Sequence, residues 1–196
     1  MDMIYYCNII MLFIGIYVSY KVKRNMLFSF YFFSLVLAEL IGKYLLGYNL
    51  YLMAIVYYTH FVCINYYLFH QILSWKKNRI KNAFIIFSLP LFVSLIAHYF
   101  NWEIKYYDRI IYNISIIFSV LYVVYKTLSS RKLLESGQLL LLFSILGYFA
   151  IDFVIALASN YLINGEFLKV AWIWIIRAIG LFTLYYALTK VVWKMK

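Results

Sequence analysis

One proline and seven glycines in 196 residues leave little material for long ordered loops or for a second, soluble domain. There are two cysteines, Cys7 and Cys63, and both sit inside apolar stretches without metal-ligand spacing. That argues against a disulfide framework and for buried structural thiols. Charge is scarce as well. Asp, Glu, Lys and Arg make up 13% of the chain, and seven of these residues are acids; a soluble domain carries about 25% charged residues. Catalytic signatures are missing: there is no H-E-x-x-H, no G-x-S-x-G and no Cys/His cluster. The connections are too short for a nucleotide-binding or kinase fold. No cofactor is expected, and the chain reads as a non-enzyme.

Apolar residues are abundant, at 67% of the chain with a mean hydropathy of +0.86. A soluble domain runs at about 45–50%, and a water-soluble fold of this length would be left with a sticky surface. Lipid as solvent removes the difficulty. A helix needs roughly 20 residues to cross the hydrocarbon core. Seven stretches qualify: Met3–Tyr20, Met26–Leu46, Tyr51–Trp75, Ala83–Phe100, Ile110–Tyr125, Gln138–Tyr161 and Phe167–Val191. Backbone groups in lipid must bond internally, so helix is the expected state. A β-barrel would show runs of about 10 residues with alternating polarity, and these runs do not alternate. The fifth stretch is the shortest, with Arg109 abutting it. Turn chemistry lies between the runs at Asn25, Gly47–Asn49, Asn101–Asp108, Ser129–Gly137 and Asn164–Gly165. The expected fold is all-α: a seven-span transmembrane helical bundle, a single integral membrane domain over residues 1–196.

The formal charge of +11 marks orientation. Lys21, Lys23 and Arg24 follow the first apolar run, whereas a secretory signal carries its cations before the run. The segment therefore reads as the first helix, amino end outside. With seven spans, the inner segments then hold Lys21, Lys23, Arg24, Lys76, Lys77, Arg79, Lys81, Lys126, Arg131, Lys132, Lys190, Lys194 and Lys196, which is 13 of the 18 basic residues. Asp2, Glu103, Asp108 and Glu166 fall outside, and Glu135 inside. All four inner segments agree with the positive-inside rule, placing the N-terminus outside and the C-terminus in the cytoplasm. Trp75 and Trp193 flank inner ends, Trp102 and Trp172 outer ends. The many Tyr and Phe rings read as interfacial belt and helix packing, with an aromatic cofactor box as the alternative.

Ionisable groups inside a span are costly and are functional candidates by default. Glu39 and Lys43 lie in the second span, His60 and His70 in the third, Asp152 in the sixth and Arg177 in the seventh. At 1.5 Å per residue, Glu39, His60, Asp152 and Arg177 all fall about 10–15 Å below the outer ends of their spans. They form one expected polar layer in the outer half. An unpaired Arg177 would be expensive there, so an ion pair with Asp152, Glu39 or both is expected. The layer has three readings: a clamp that fixes helix order, the floor of an outward-open ligand pocket, or part of an ion pathway. Thr59, Asn65 and Asn113 are expected to hydrogen-bond between helices. A retinal protein would need a lysine midway along its last helix, where this chain has Arg177.

Four segments, Tyr57–Leu73 (YYTHFVCINYYLFHQIL), Ile111–Leu128, Leu142–Ala158 (LFSILGYFAIDFVIALA) and Ala171–Leu188 (AWIWIIRAIGLFTLYYAL), give spans three to seven a layout that resembles a loose group of small bacterial seven-helix membrane proteins of unknown activity. The resemblance runs over about two thirds of the chain. It departs in the third span, where His60 stands in place of an acidic residue. It implies a bacterial inner membrane, and a sensory or accessory role beside a partner such as a sensor kinase. The basic inner segments, with Lys76, Lys77, Arg79, Lys81, Lys126, Arg131 and Lys132, follow from topology alone. They also suit a protein partner, anionic lipid or nucleic acid at the cytoplasmic face. The leading expectation is a regulator acting through a partner. The alternatives are a small transporter or channel, an accessory regulator of a CRISPR or other antiviral defence nuclease, and a membrane enzyme acting on lipid.

Overall fold

Long apolar runs with few backbone-breaking residues have one way to pair their N–H and C=O groups in a solvent that offers no hydrogen bonds. In the computed structural model, every regular element among the described residues is accordingly helical. The structure describes residues 2–22, 26–44, 50–76, 80–82, 84–85, 88–100, 107–131, 133–158 and 167–194. Helix α1 spans Asp2–Tyr17 and continues as a π-helical turn, Val18–Val22. Helix α2 is Met26–Tyr44. Helix α3, Leu50–Tyr66, also runs on into a π turn, Tyr67–Ile72. Then come α4 (Leu89–Tyr99), α5 (Tyr107–Ser129), α6 (Ser136–Leu157) and α7 (Phe167–Lys194).

Among the described residues, four segments are long and apolar enough to cross a membrane: Met3–Lys21, Arg109–Ser129, Ser136–Leu157 and Trp172–Lys194. Met26–Ile41 is apolar but shorter. The outward faces agree, because Ile10, Phe13, Phe118, Phe143, Val154 and Ile179 are all exposed. Helices that are apolar on both faces belong in lipid. The four segments point to an integral, multi-pass membrane protein. Several hydroxyls inside them are satisfied locally. Ser19, Ser119, Thr127, Ser144 and Thr183 each donate a hydroxyl to the carbonyl one turn back.

Two expected boundaries change. The fifth run was expected to start at Ile110, but α5 begins at Tyr107 and continues to Ser129. The fourth run yields a regular helix of 11 residues, with Pro90 in the first turn, where a missing N–H costs nothing. Residues 80–82 and 84–85 ahead of it are also helical. The expected turns at Asn25, Gly47–Asn49 and Asn164–Gly165 lie outside the described residues, as do Lys23, Arg24 and Trp102.

The chain divides into two units, Met1–Val36 with Leu134–Lys196, and Leu37–Leu133. In the first, α1 and α2 run antiparallel. The Ser29 hydroxyl donates to that of Ser19 at 3.1 Å, and Gly15 lies against the Phe32 ring, which fixes α1 against α2. A Cβ on Gly15 would sit 2.8 Å from the ring carbons of Phe32, so only glycine allows this approach. Gly137 faces Val191 and Lys194, while Gly180 faces Tyr148 and Ile151, so α6 and α7 are antiparallel as well. Asn8 Nδ2 donates to the Ala178 carbonyl at 3.4 Å, tying α1 to α7. In the second unit, Tyr58 and Phe61 meet Tyr112, and Phe69 meets Tyr122. Helices α3 and α5 therefore run parallel, and α4 packs against both.

Candidate functional site

Asp152 projects from α6 and is fully buried. One turn earlier on the same face stands Tyr148, also buried. Arg177 reaches both from α7. Its Nε donates to Asp152 Oδ1 at 2.6 Å, and its Nη2 donates to the Tyr148 hydroxyl at 3.2 Å. The side chains are 20% and 0% exposed for Arg177 and Asp152. The guanidinium also lies 5.8 Å from the Tyr148 ring centre and 6.0 Å from that of Trp174. Ile151, Ile155, Ala158, Ile173 and Trp174 pack together nearby on the same two helices. The ion pair expected between Arg177 and Asp152 is thus present within the first unit. Removing one partner of a buried pair leaves an uncompensated charge, so chemically the arrangement locks α6 to α7.

Glu39 and His60 belong to the second unit, on α2 and α3. His60 is buried and Glu39 is half-buried; neither lacks a partner. The side chain of Lys43 lies outside the described residues. His70 is half-buried on the π turn, edge-on to Tyr66 at 4.9 Å.

Thr59 and Asn65 correct the expectation of bonds between helices. Thr59 Oγ1 donates to the Ile55 carbonyl and Asn65 Nδ2 to the Phe61 carbonyl, each four residues back on α3. A carbonyl one turn away is always within reach of a short side chain, whereas a neighbouring helix must be positioned. Asn113 is buried on α5.

Several exposed cations of the second unit lie near one end of α3 and α5. Trp75, which follows α3, stacks on Phe69 and meets Tyr122 of α5 edge-on at 6.1 Å. Lys76 follows Trp75, and Lys126 Nζ lies 6.0 Å from the Tyr122 ring centre. Lys76, Lys81, Lys126 and Arg131 are all exposed. Leu133, beside them in the chain, is 94% exposed. Lys77, Arg79 and Lys132 lie outside the described residues.

Sequence reasoning missed two partners. Tyr148 as a guanidinium acceptor is signalled by its spacing of four residues from Asp152. Arg109 reads from sequence as an outer cation, yet its side chain is buried, with the guanidinium 5.4 Å from the Tyr57 ring centre. No protein-family model, curated protein or solved structure matches the chain.

Proposed function

We propose that the chain crosses a bacterial inner membrane seven times, amino end outside, and acts as an accessory regulator of an acidic partner at the cytoplasmic face. One observation carries this reading: exposed Lys76, Lys81, Lys126 and Arg131 gather where α3 and α5 end side by side. Parallel α3 and α5 fit a topology in which odd-numbered spans share a direction. With its π turn, α3 covers Leu50–Ile72, about 34 Å at 1.5 Å per residue, enough for the roughly 30 Å core. A side chain as apolar and exposed as Leu133 among cations suits a surface that meets another molecule. In this reading the partner senses the packing of α6 on α7 at Asp152 and Arg177, and that of α2 and α3 at Glu39 and His60, through the basic loops.

The test places a photo-crosslinking amino acid at Leu133 in the cell that expresses the protein. A discrete cross-linked product is expected. It should disappear when Lys76, Lys81, Lys126 and Arg131 are all changed to Gln, while protease protection shows insertion unchanged. No discrete product, or one that survives neutralisation, defeats the proposal. Labelling of single introduced cysteines with a membrane-impermeant reagent tests the seven-span topology separately.

A further inference from the structure

A groove of about 420 Å³ runs along α3 and α5 in the second unit, and its two ends differ in charge. At one end Phe61 meets Phe84 with ring centres 6.0 Å apart, and Ile114 begins the α5 wall. At the other end Ser74, at φ 56°, folds the chain back after the π turn. Trp75 then stacks on Phe69 with centres 4.5 Å apart and meets Tyr122 at 6.1 Å. Among the described residues, no charged side chain lines the groove itself. Three exposed cations border its second end. Lys76 follows Trp75, Lys81 follows the lining residue Ile80, and Lys126 Nζ lies 6.0 Å from the Tyr122 ring centre.

The α5 wall of the groove is Ile114, Phe118 and Tyr122, one helix face at four-residue spacing, and all three side chains are exposed. They belong to Arg109–Ser129, a segment long and apolar enough to cross a membrane. In a bilayer the molecule lying against this wall is lipid, because a water-soluble occupant would first have to displace hydrocarbon. From Ile114 to Tyr122 the helix rises about 12 Å, which fits inside one leaflet of the roughly 30 Å core. Cations beside a membrane span attract anionic headgroups, and here they stand at one end of an uncharged trough. That is the shape and polarity of an anionic amphiphile. We infer that the groove seats one acyl chain of an anionic phospholipid whose phosphate rests against Lys76 and Lys126. The seat takes the membrane reading as given and makes no use of a protein partner, since Arg131 and Leu133 do not line it.

The test is native mass spectrometry of the full chain in a nonionic detergent, titrated with dioleoyl phosphatidylglycerol or dioleoyl phosphatidylcholine. The first phosphatidylglycerol is expected to bind about tenfold more tightly than phosphatidylcholine. Lys76→Gln with Lys126→Gln should weaken it about ten- to thirtyfold, the worth of two cations at a membrane surface. Both side chains are exposed, so the fold is expected to persist. Lys190→Gln with Lys194→Gln removes the same charge from the first unit and should leave binding within about twofold. Ser119→Phe, which puts a ring into the groove, should weaken phosphatidylglycerol with every cation in place. Glycerol 3-phosphate, a phosphate without a chain, should not displace the lipid at millimolar concentration. Equal affinity for the two lipids overturns the seat. So does equal loss in the two lysine double variants, full affinity in folded Ser119→Phe, or displacement by glycerol 3-phosphate. Failure here leaves a cross-link from Leu133 standing, and loss of that cross-link leaves the lipid seat standing.

Discussion

The two units are held by different chemistry. The first joins antiparallel helices through a charge pair, Asp152 with Arg177, and through a glycine contact at Gly15. The second joins parallel helices α3 and α5 through rings. Antiparallel neighbours are connected by a short turn and can pack along their full length. Parallel neighbours require the chain to return, and here the regular helix on the return path, α4, has 11 residues. The contact between α3 and α5 is made by rings instead. The difference teaches that a parallel pair can be joined by aromatic side chains where the antiparallel pairs use a charge pair and a close glycine contact.

Breaking the first unit should have the largest effect. Asp152→Leu strands the Arg177 guanidinium and is expected to cost about 3–5 kcal/mol, seen as a lower thermal midpoint in detergent. Pairing it with Arg177→Leu should recover most of that loss, because an apolar pair of similar shape leaves no charge behind. If the double variant is as unstable as Asp152→Leu alone, the ion pair is not what holds α6 to α7. Next comes Gly15→Ala, expected to cost about 1–3 kcal/mol by overpacking against Phe32. Phe32→Leu should rescue it. The smallest effect belongs to the second unit. Trp75→Leu removes a ring stack worth about 0.5–1.5 kcal/mol beyond its area. Hydrogen exchange followed by mass spectrometry should show faster exchange in peptides covering residues 67–76 and unchanged exchange in α6 and α7. Equal acceleration in both units would erase the distinction drawn between them.

The runs that became α1, α2, α6 and α7 were legible because hydropathy is continuous there and turn residues bound it. The Asp152–Arg177 pair was legible for a thermodynamic reason: an arginine in lipid needs a counter-charge. The start of α5 was not, because Tyr107, Asp108 and Arg109 are polar in isolation. Hydropathy cannot register that Arg109 is covered by Tyr57. The π turn was invisible for a geometric reason. One extra residue in a turn of α3 leaves composition untouched and moves Phe69 and Trp75 into contact. Asn65 was misassigned because sequence marks it as polar but does not show that its amide nitrogen bonds within its own helix while its oxygen has no partner.

Gly15 carries a consequence for how this sequence can drift. The lipid-facing neighbours Phe13, Ile14 and Phe33 are exposed, so each is free to vary among apolar residues independently. Positions 15 and 32 are not free in that way. A side chain at 15 requires the ring at 32 to shrink or move, whereas a smaller residue at 32 leaves glycine at 15 acceptable. The order of change is therefore constrained: position 32 can change first, and position 15 only after it.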